Sequence, residues 1–123
     1  MSEQACRAFF EAWNRRDFDE AMSHVADDCH YDDFSFVRPH VGKDSVRMLF
    51  EGVAKKLPGL TFLIHDITGA HDVGVYWEIL NDGVPTGRKG VSYYRFDADD
   101  RLVWALDAAD PGAHHRTNDF HSG

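Results

Sequence analysis

The chain has 123 residues, 43% of them hydrophobic and 13% aromatic, enough for one domain with a single core. Its formal net charge of −8, from 21 acidic and 13 basic residues, excludes nucleic acid or an anionic lipid surface as the main partner. Such partners need clustered Lys and Arg. No apolar run approaches the ~18 residues of a membrane span, and the N-terminal MSEQACRAFF lacks the basic and apolar regions of a secretory signal. A cytoplasmic protein is expected, with Cys6 and Cys29 reduced and packed, since the two lie far apart and in no metal-type pair.

Cys6, Phe9, Phe10 and Trp13 recur at i, i+3, i+4, i+7, the spacing of one buried helix face. NRRD breaks that pattern, and Asp17 can cap a second short helix burying Phe18, Ala21, Met22 and Val25. A short strand follows within VADDCHYDDFSFVRPHVGK. Alternation sends Asp32 outward with His30 and leaves Asp33 to point inward. A third helix begins after Gly42 with Asp44 as its cap; Val46, Leu49, Phe50, Val53 and Leu57 form its apolar stripe, and Pro58-Gly59 ends it.

From Leu60 the period becomes two. Residues 60–67, 72–80, 87–96 and 101–108 read as four strands, separated by TGAH, NDGVPT and DADD. In 72–80, Val73, Val75, Trp77 and Ile79 form the face turned to the helices. In the last strand, Leu102, Trp104 and Leu106 alternate with Val103, Ala105 and Asp107, and both faces are largely apolar. A second subunit is the simplest cover for the outer face, so a homodimer through it is expected. Three helices followed by a meander specify an α+β fold: a cone-shaped barrel of helices on a curved, mostly antiparallel sheet, with a cavity between the layers. Residues 1–110 form the single domain, and the polar segment 111–123 is expected to be a flexible tail.

The order and spacing of three segments resemble the nuclear transport factor 2-like superfamily. These are NRRDFDEAMSHVADDCHYDD, HVGKDSVRMLF and GVSYYRFDADDRLVWALDAAD. Within it they are most similar to the branch of ketosteroid isomerases and SnoaL-like polyketide cyclases, with cystatin-like topology. The resemblance implies that Asp33 stands where the isomerases carry their general base, and that Asp107 stands where the cyclases carry an acid/base aspartate. The isomerases' two oxyanion donors fall on Phe9 and Ser92, so both strong donors are replaced. The Arg-x-Asp partner of the superfamily's epoxide hydrolases falls on Val75 and Trp77, which disfavours that triad.

The catalytic candidates are therefore Asp33 and Asp107, since a carboxylate in an apolar pocket has a raised pKa and can move a proton near neutral pH. Phe9, Trp13, Trp77, Ser92, Tyr94 and His40 are the candidate substrate-binding residues. Ser92 and Tyr94 either donate to a carbonyl or pack as a core pair, Trp77 is a core residue or a stacking platform, and His40 lines the cavity mouth. His65 is a strand histidine without an evident partner, and His114, His115 and His121 lie in the tail. No spacing makes a structural zinc site, and no phosphate loop or nucleophile elbow is present. These residues predict cofactor-free and metal-free chemistry on a small apolar or carbonyl-containing ligand. A non-catalytic ligand carrier and a dimerisation or interaction domain stay open, because one fold hosts all three.

Overall fold

The computed structural model describes residues 2–110; the expected tail, 111–123, lies outside them. Three helices come from the first half of the chain: α1 (Ser2–Asn14), α2 (Phe18–Ser23) and α3 (Lys43–Lys56). Six strands, β1 (Val25–Asp33), β2 (His40–Val41), β3 (Leu60–Gly69), β4 (Asp72–Asn81), β5 (Val84–Phe96) and β6 (Leu102–Ala109), form one sheet in the order β2-β1-β6-β5-β4-β3. Every pairing is antiparallel except β1 with β6, which is parallel. The α+β architecture expected from the change of period is therefore present.

The apolar stripe of α1 (Cys6, Phe9, Phe10, Trp13) and that of α3 (Val46, Leu49, Phe50) are buried against the inner sheet face. From the sheet, Val73, Val75, Trp77 and Ile79 of β4 all join that core, as their alternation requires. Asn14 fastens the end of α1 to the edge strand: its amide donates to the Phe62 carbonyl at 2.8 Å and its oxygen accepts the Phe62 N–H at 2.9 Å. Asp17 caps α2 by accepting the Glu20 N–H at 3.1 Å.

Four local expectations change. The cap of α3 is Gly42, in the left-handed region at φ 93°, and no side chain bonds there; Asp44 lies in the first turn instead. Val25 opens β1 rather than closing α2. The fifth strand starts at Val84, because Asp82 (φ 50°) and Gly83 (φ 79°) alone make the two-residue hairpin turn. Finally, Leu102 does not share a face with Trp104 and Leu106. A register shift pairs Arg95 with Trp104 and Phe96 with Leu102, so Leu102 turns inward and is buried with Phe96. Trp104 remains outside, stacked on His30 at 6.0 Å.

Candidate functional site

Between helices and sheet lies a cavity. α1 supplies Phe9, Phe10 and Trp13; α3 supplies Leu49, Phe50 and Val53. The sheet supplies Tyr31 and Asp33 (β1), Phe62 (β3), Trp77 (β4), Ser92 and Tyr94 (β5), and Asp107 (β6). The space open to water-sized molecules is about 50 Å³, against roughly 300–1,000 Å³ for a drug-sized ligand site. Aromatic rings account for the difference. Tyr94 stacks on Phe10 at 5.9 Å, Phe50 meets Phe9 at 5.6 Å and Tyr31 at 5.2 Å, and Phe62 meets Trp13 at 5.0 Å and Trp77 at 5.2 Å.

Asp107 is the centre of the cavity's hydrogen-bond cluster. Tyr31 donates to its Oδ2 at 2.5 Å, Ser92 to its Oδ1 at 2.5 Å, and the Tyr94 hydroxyl lies 3.1 Å from Oδ1. The two tyrosine hydroxyls are themselves 2.9 Å apart, and the Trp77 indole N–H donates to Ser92 Oγ at 2.8 Å. Three hydroxyls bring one proton each. They face four O–H···O contacts, so with Asp107 ionised one contact has no proton. A proton on Asp107 fills it: Asp107 donates to Tyr94, Tyr94 to Tyr31, Tyr31 to Oδ2 and Ser92 to Oδ1. The cluster is thus fully satisfied with the acid neutral and nearly so with it ionised.

Burial pushes the Asp107 carboxyl up to about 6; the hydroxyls of Ser92, Tyr31 and Tyr94 pull it back, and the neighbouring charge of Asp33 raises it. Tyr31 and Tyr94 are driven well above the ordinary phenol range, first by burial and then by the charge of Asp107. Both therefore remain hydroxyl donors at any working pH.

Asp33 reaches the same cavity. It is the register partner of Asp107 across the β1–β6 pair, on strands ~4.8 Å apart. It is half-exposed, and its Oδ1 accepts the Ser35 N–H at 2.9 Å at the start of the following turn. Asp32 points to the other face with His30.

Phe9, Trp13, Trp77, Ser92 and Tyr94 all line the cavity, whereas His40 does not. It sits in a separate surface groove with Phe36, Met48 and Lys56, edge-on to Phe36 at 5.2 Å, because the short strand β2 carries it outside Leu49 and Val53. Ser92 also departs from expectation: its only proton is committed to Asp107, so it is not a free donor to a carbonyl. His65 has a partner on the outer face, Glu78, at 2.9 Å; that bond holds the Glu78 carboxyl below its usual range. Among the described residues, no group of three or more His, Cys, Asp or Glu side chains could hold a metal ion, and no helix is long and apolar enough to cross a membrane. Tyr31 was not among the candidates. Stepping back by two from Asp33 along β1 places it on the inward face.

The family model of the SnoaL-like domain matches residues 6–105. The chain belongs to the SnoaL-like family. No curated protein matches, but many solved structures share the fold. A SnoaL-like protein of unknown function from Burkholderia thailandensis E264 superposes with a TM-score of 0.74 at 23% identity, covering 89% of this chain and 94% of that one. IdmH from Streptomyces antibioticus, a candidate polyketide cyclase, gives 0.75 at 16% identity, covering 89% and 92%. A candidate isomerase of the SnoaL-like family from Agrobacterium tumefaciens C58 gives 0.74 at 18% identity, covering 87% and 95%. At these identities the likeness concerns the fold.

Proposed function

We propose that this SnoaL-like chain is a cofactor-independent isomerase or cyclase in which Asp107 moves a proton on a carbon next to a carbonyl. The observation that carries the reading is the partly buried Asp107 carboxyl, held by three hydroxyls and raised to about 6. A general base or acid works best with its pKa near the operating pH. A carboxylate has about four acceptor positions; three take hydroxyls and one is left for a substrate C–H. Asp107 takes the proton, the C–H electron pair becomes an enolate, and the proton returns to another carbon in an isomerisation. In an aldol-type cyclisation, the enolate carbon attacks a second carbonyl and the new alkoxide takes the proton.

Tyr94 is the hydroxyl best suited to the enolate oxygen, because its proton already has two alternative acceptors, Tyr31 and Asp107. Asp33, at the half-exposed end of the pair, keeps the proton affinity of Asp107 up and is the second acid/base candidate. The small free space suits a small carbonyl compound, or the reactive end of a larger one. A non-catalytic ligand-binding module is the second reading, favoured by the hydroxyl protons being spent inside the cluster. The outer sheet face, with Leu63, Tyr76 and Val91 exposed, supports a homodimer through that face, which sedimentation equilibrium would test. Buried free Cys6 and Cys29 support a reducing, cytoplasmic setting.

The test is a carboxyl NMR titration of Asp107, assigned with Asp107→Asn, followed by deuterium exchange into small ketones. A midpoint near 6, with exchange lost in Asp107→Asn, is the expected result. A midpoint at or below the ordinary ~3.9 removes the acid/base reading, and a midpoint near 6 without exchange favours the binding module.

A further inference from the structure

We propose that Trp77 is a positioning residue: its indole N–H fixes the Ser92 hydroxyl so that the serine proton points at Asp107, and Gly90 provides the space that allows it. An indole N–H can only donate, whereas a serine hydroxyl has one proton and two lone pairs. With Trp77 Nε1 at 2.8 Å from Ser92 Oγ and Asp107 Oδ1 at 2.5 Å on the other side, the hydroxyl is held from both ends. Its rotor has one satisfying setting. Without the indole N–H the serine proton is free to turn elsewhere, and Asp107 loses one of its three donors.

Gly90 is the register partner of Trp77 on β5. A Cβ built there would lie 2.2, 2.5 and 2.6 Å from three carbons of the Trp77 ring. The indole therefore lies flat over bare backbone at Gly90, which lets its N–H reach diagonally along β5 to Ser92. Phe62 packs nearly perpendicular to the Trp77 ring at 5.2 Å. The position is specific to glycine for this steric reason. The remaining groups facing Asp107 are Tyr31 and Asp33 on β1, Tyr94 on β5 and, from α1, the Cys6 thiol, which burial pushes up to about 12 and so keeps neutral. None of them touches the Trp77 N–H, so the effect must pass through Ser92.

The inference rests on Asp107 being the working group of the cavity, and its experiment separates the two. Asp107 is titrated by carboxyl NMR in the wild type, Trp77→Phe, Ser92→Ala and the double variant. Hydrogen bonds to the charged form stabilise it and lower the carboxyl's pKa. Trp77→Phe should therefore raise the Asp107 midpoint by roughly half a unit or more. Ser92→Ala should raise it at least as far, and the double variant no further than Ser92→Ala. Gly90→Ala, which displaces the ring, should move the midpoint the same way. In the wild type, the Trp77 Nε1–H proton shift should titrate with the midpoint of Asp107, a measurement needing no variant to fold. A Trp77→Phe midpoint equal to the wild type, additivity in the double variant, or a pH-independent indole shift overturns the inference. A wild-type midpoint near 3.9 that still rises in Trp77→Phe leaves it standing and removes the acid/base reading instead.

Discussion

Replacing Asp107 by Asn should remove one pH-dependent contribution to stability, with a sign that the structure fixes. In the folded chain the Asp107 carboxyl titrates at about 6, and in the unfolded chain near ~3.9. The folded pKa is raised, so Asp107 contributes stability that is fully present below the unfolded value and is lost as pH rises through the folded one. The total is about 2 units, or ~3 kcal/mol, of which about 2 kcal/mol falls between pH 4 and pH 7. Asparagine has nearly the shape of the protonated acid and can offer an N–H to Tyr94 and a carbonyl to Tyr31. Urea unfolding of both proteins at a series of pH values isolates this group, because the other titrating residues are common to both and cancel in the difference. The expected result is a stability gap, wild type minus Asp107→Asn, that falls by about 2 kcal/mol from pH 4 to pH 7 and then levels off. A gap that stays constant, or that rises with pH, refutes the argument that burial outweighs three hydroxyl bonds at this carboxyl.

Tyr31→Phe should raise the Asp107 midpoint further and cost about 1.5–3 kcal/mol at pH 7, since it removes a bond to a charged acceptor; the same NMR titration and urea curves measure both. Asn14→Ala should lower stability by about 2 kcal/mol, because it leaves both backbone polar groups of Phe62 without the partners that join α1 to β3. Amide exchange at Phe62 should accelerate in the same variant. Asp17→Ala removes the cap of α2 and should cost about 1 kcal/mol, read as a lower urea midpoint with unchanged slope.

Periodicity carried the layers of the fold in plain view. The stripes of α1 and α3 and the alternation of β4 are strong signals, because each element has one face in the core and the residues say which. Three features resist such a reading. The Gly42 cap works through backbone conformation at φ 93° and not through a side chain, so the nearby Asp44 looks like the better candidate. The register shifts near Phe96 and Leu102 move side chains between faces, and a bulge leaves no mark on composition. The long reach of β5 back to Val84 is hidden by Pro85 and two glycines, which elsewhere argue for a loop.

The site was legible in its residues and illegible in its bonds. Asp33 and Asp107 are 74 positions apart, and it is the one parallel pairing in the sheet, β1 on β6, that makes them neighbours. Alternation alone points both inward and cannot tell which of them gathers the hydroxyls of the cavity. What separates them is their partners: a backbone N–H for Asp33, three hydroxyls for Asp107. Ser92 and Tyr94 looked like donors waiting for a ligand, yet a hydroxyl has one proton, and the nearest strong acceptor takes it. On the proposed function, the chemical burden therefore passes from the serine and tyrosines to the carboxyl they surround. Their collective effect is to hold the Asp107 pKa at about 6: burial alone would take it higher, and the hydroxyl bonds bring it partway back. A cavity that does so with neutral donors, and with no basic side chain in its lining among the described residues, sets no cation of those residues against the carboxylate. That is the condition under which gaining and losing a proton come closest in energy near neutrality.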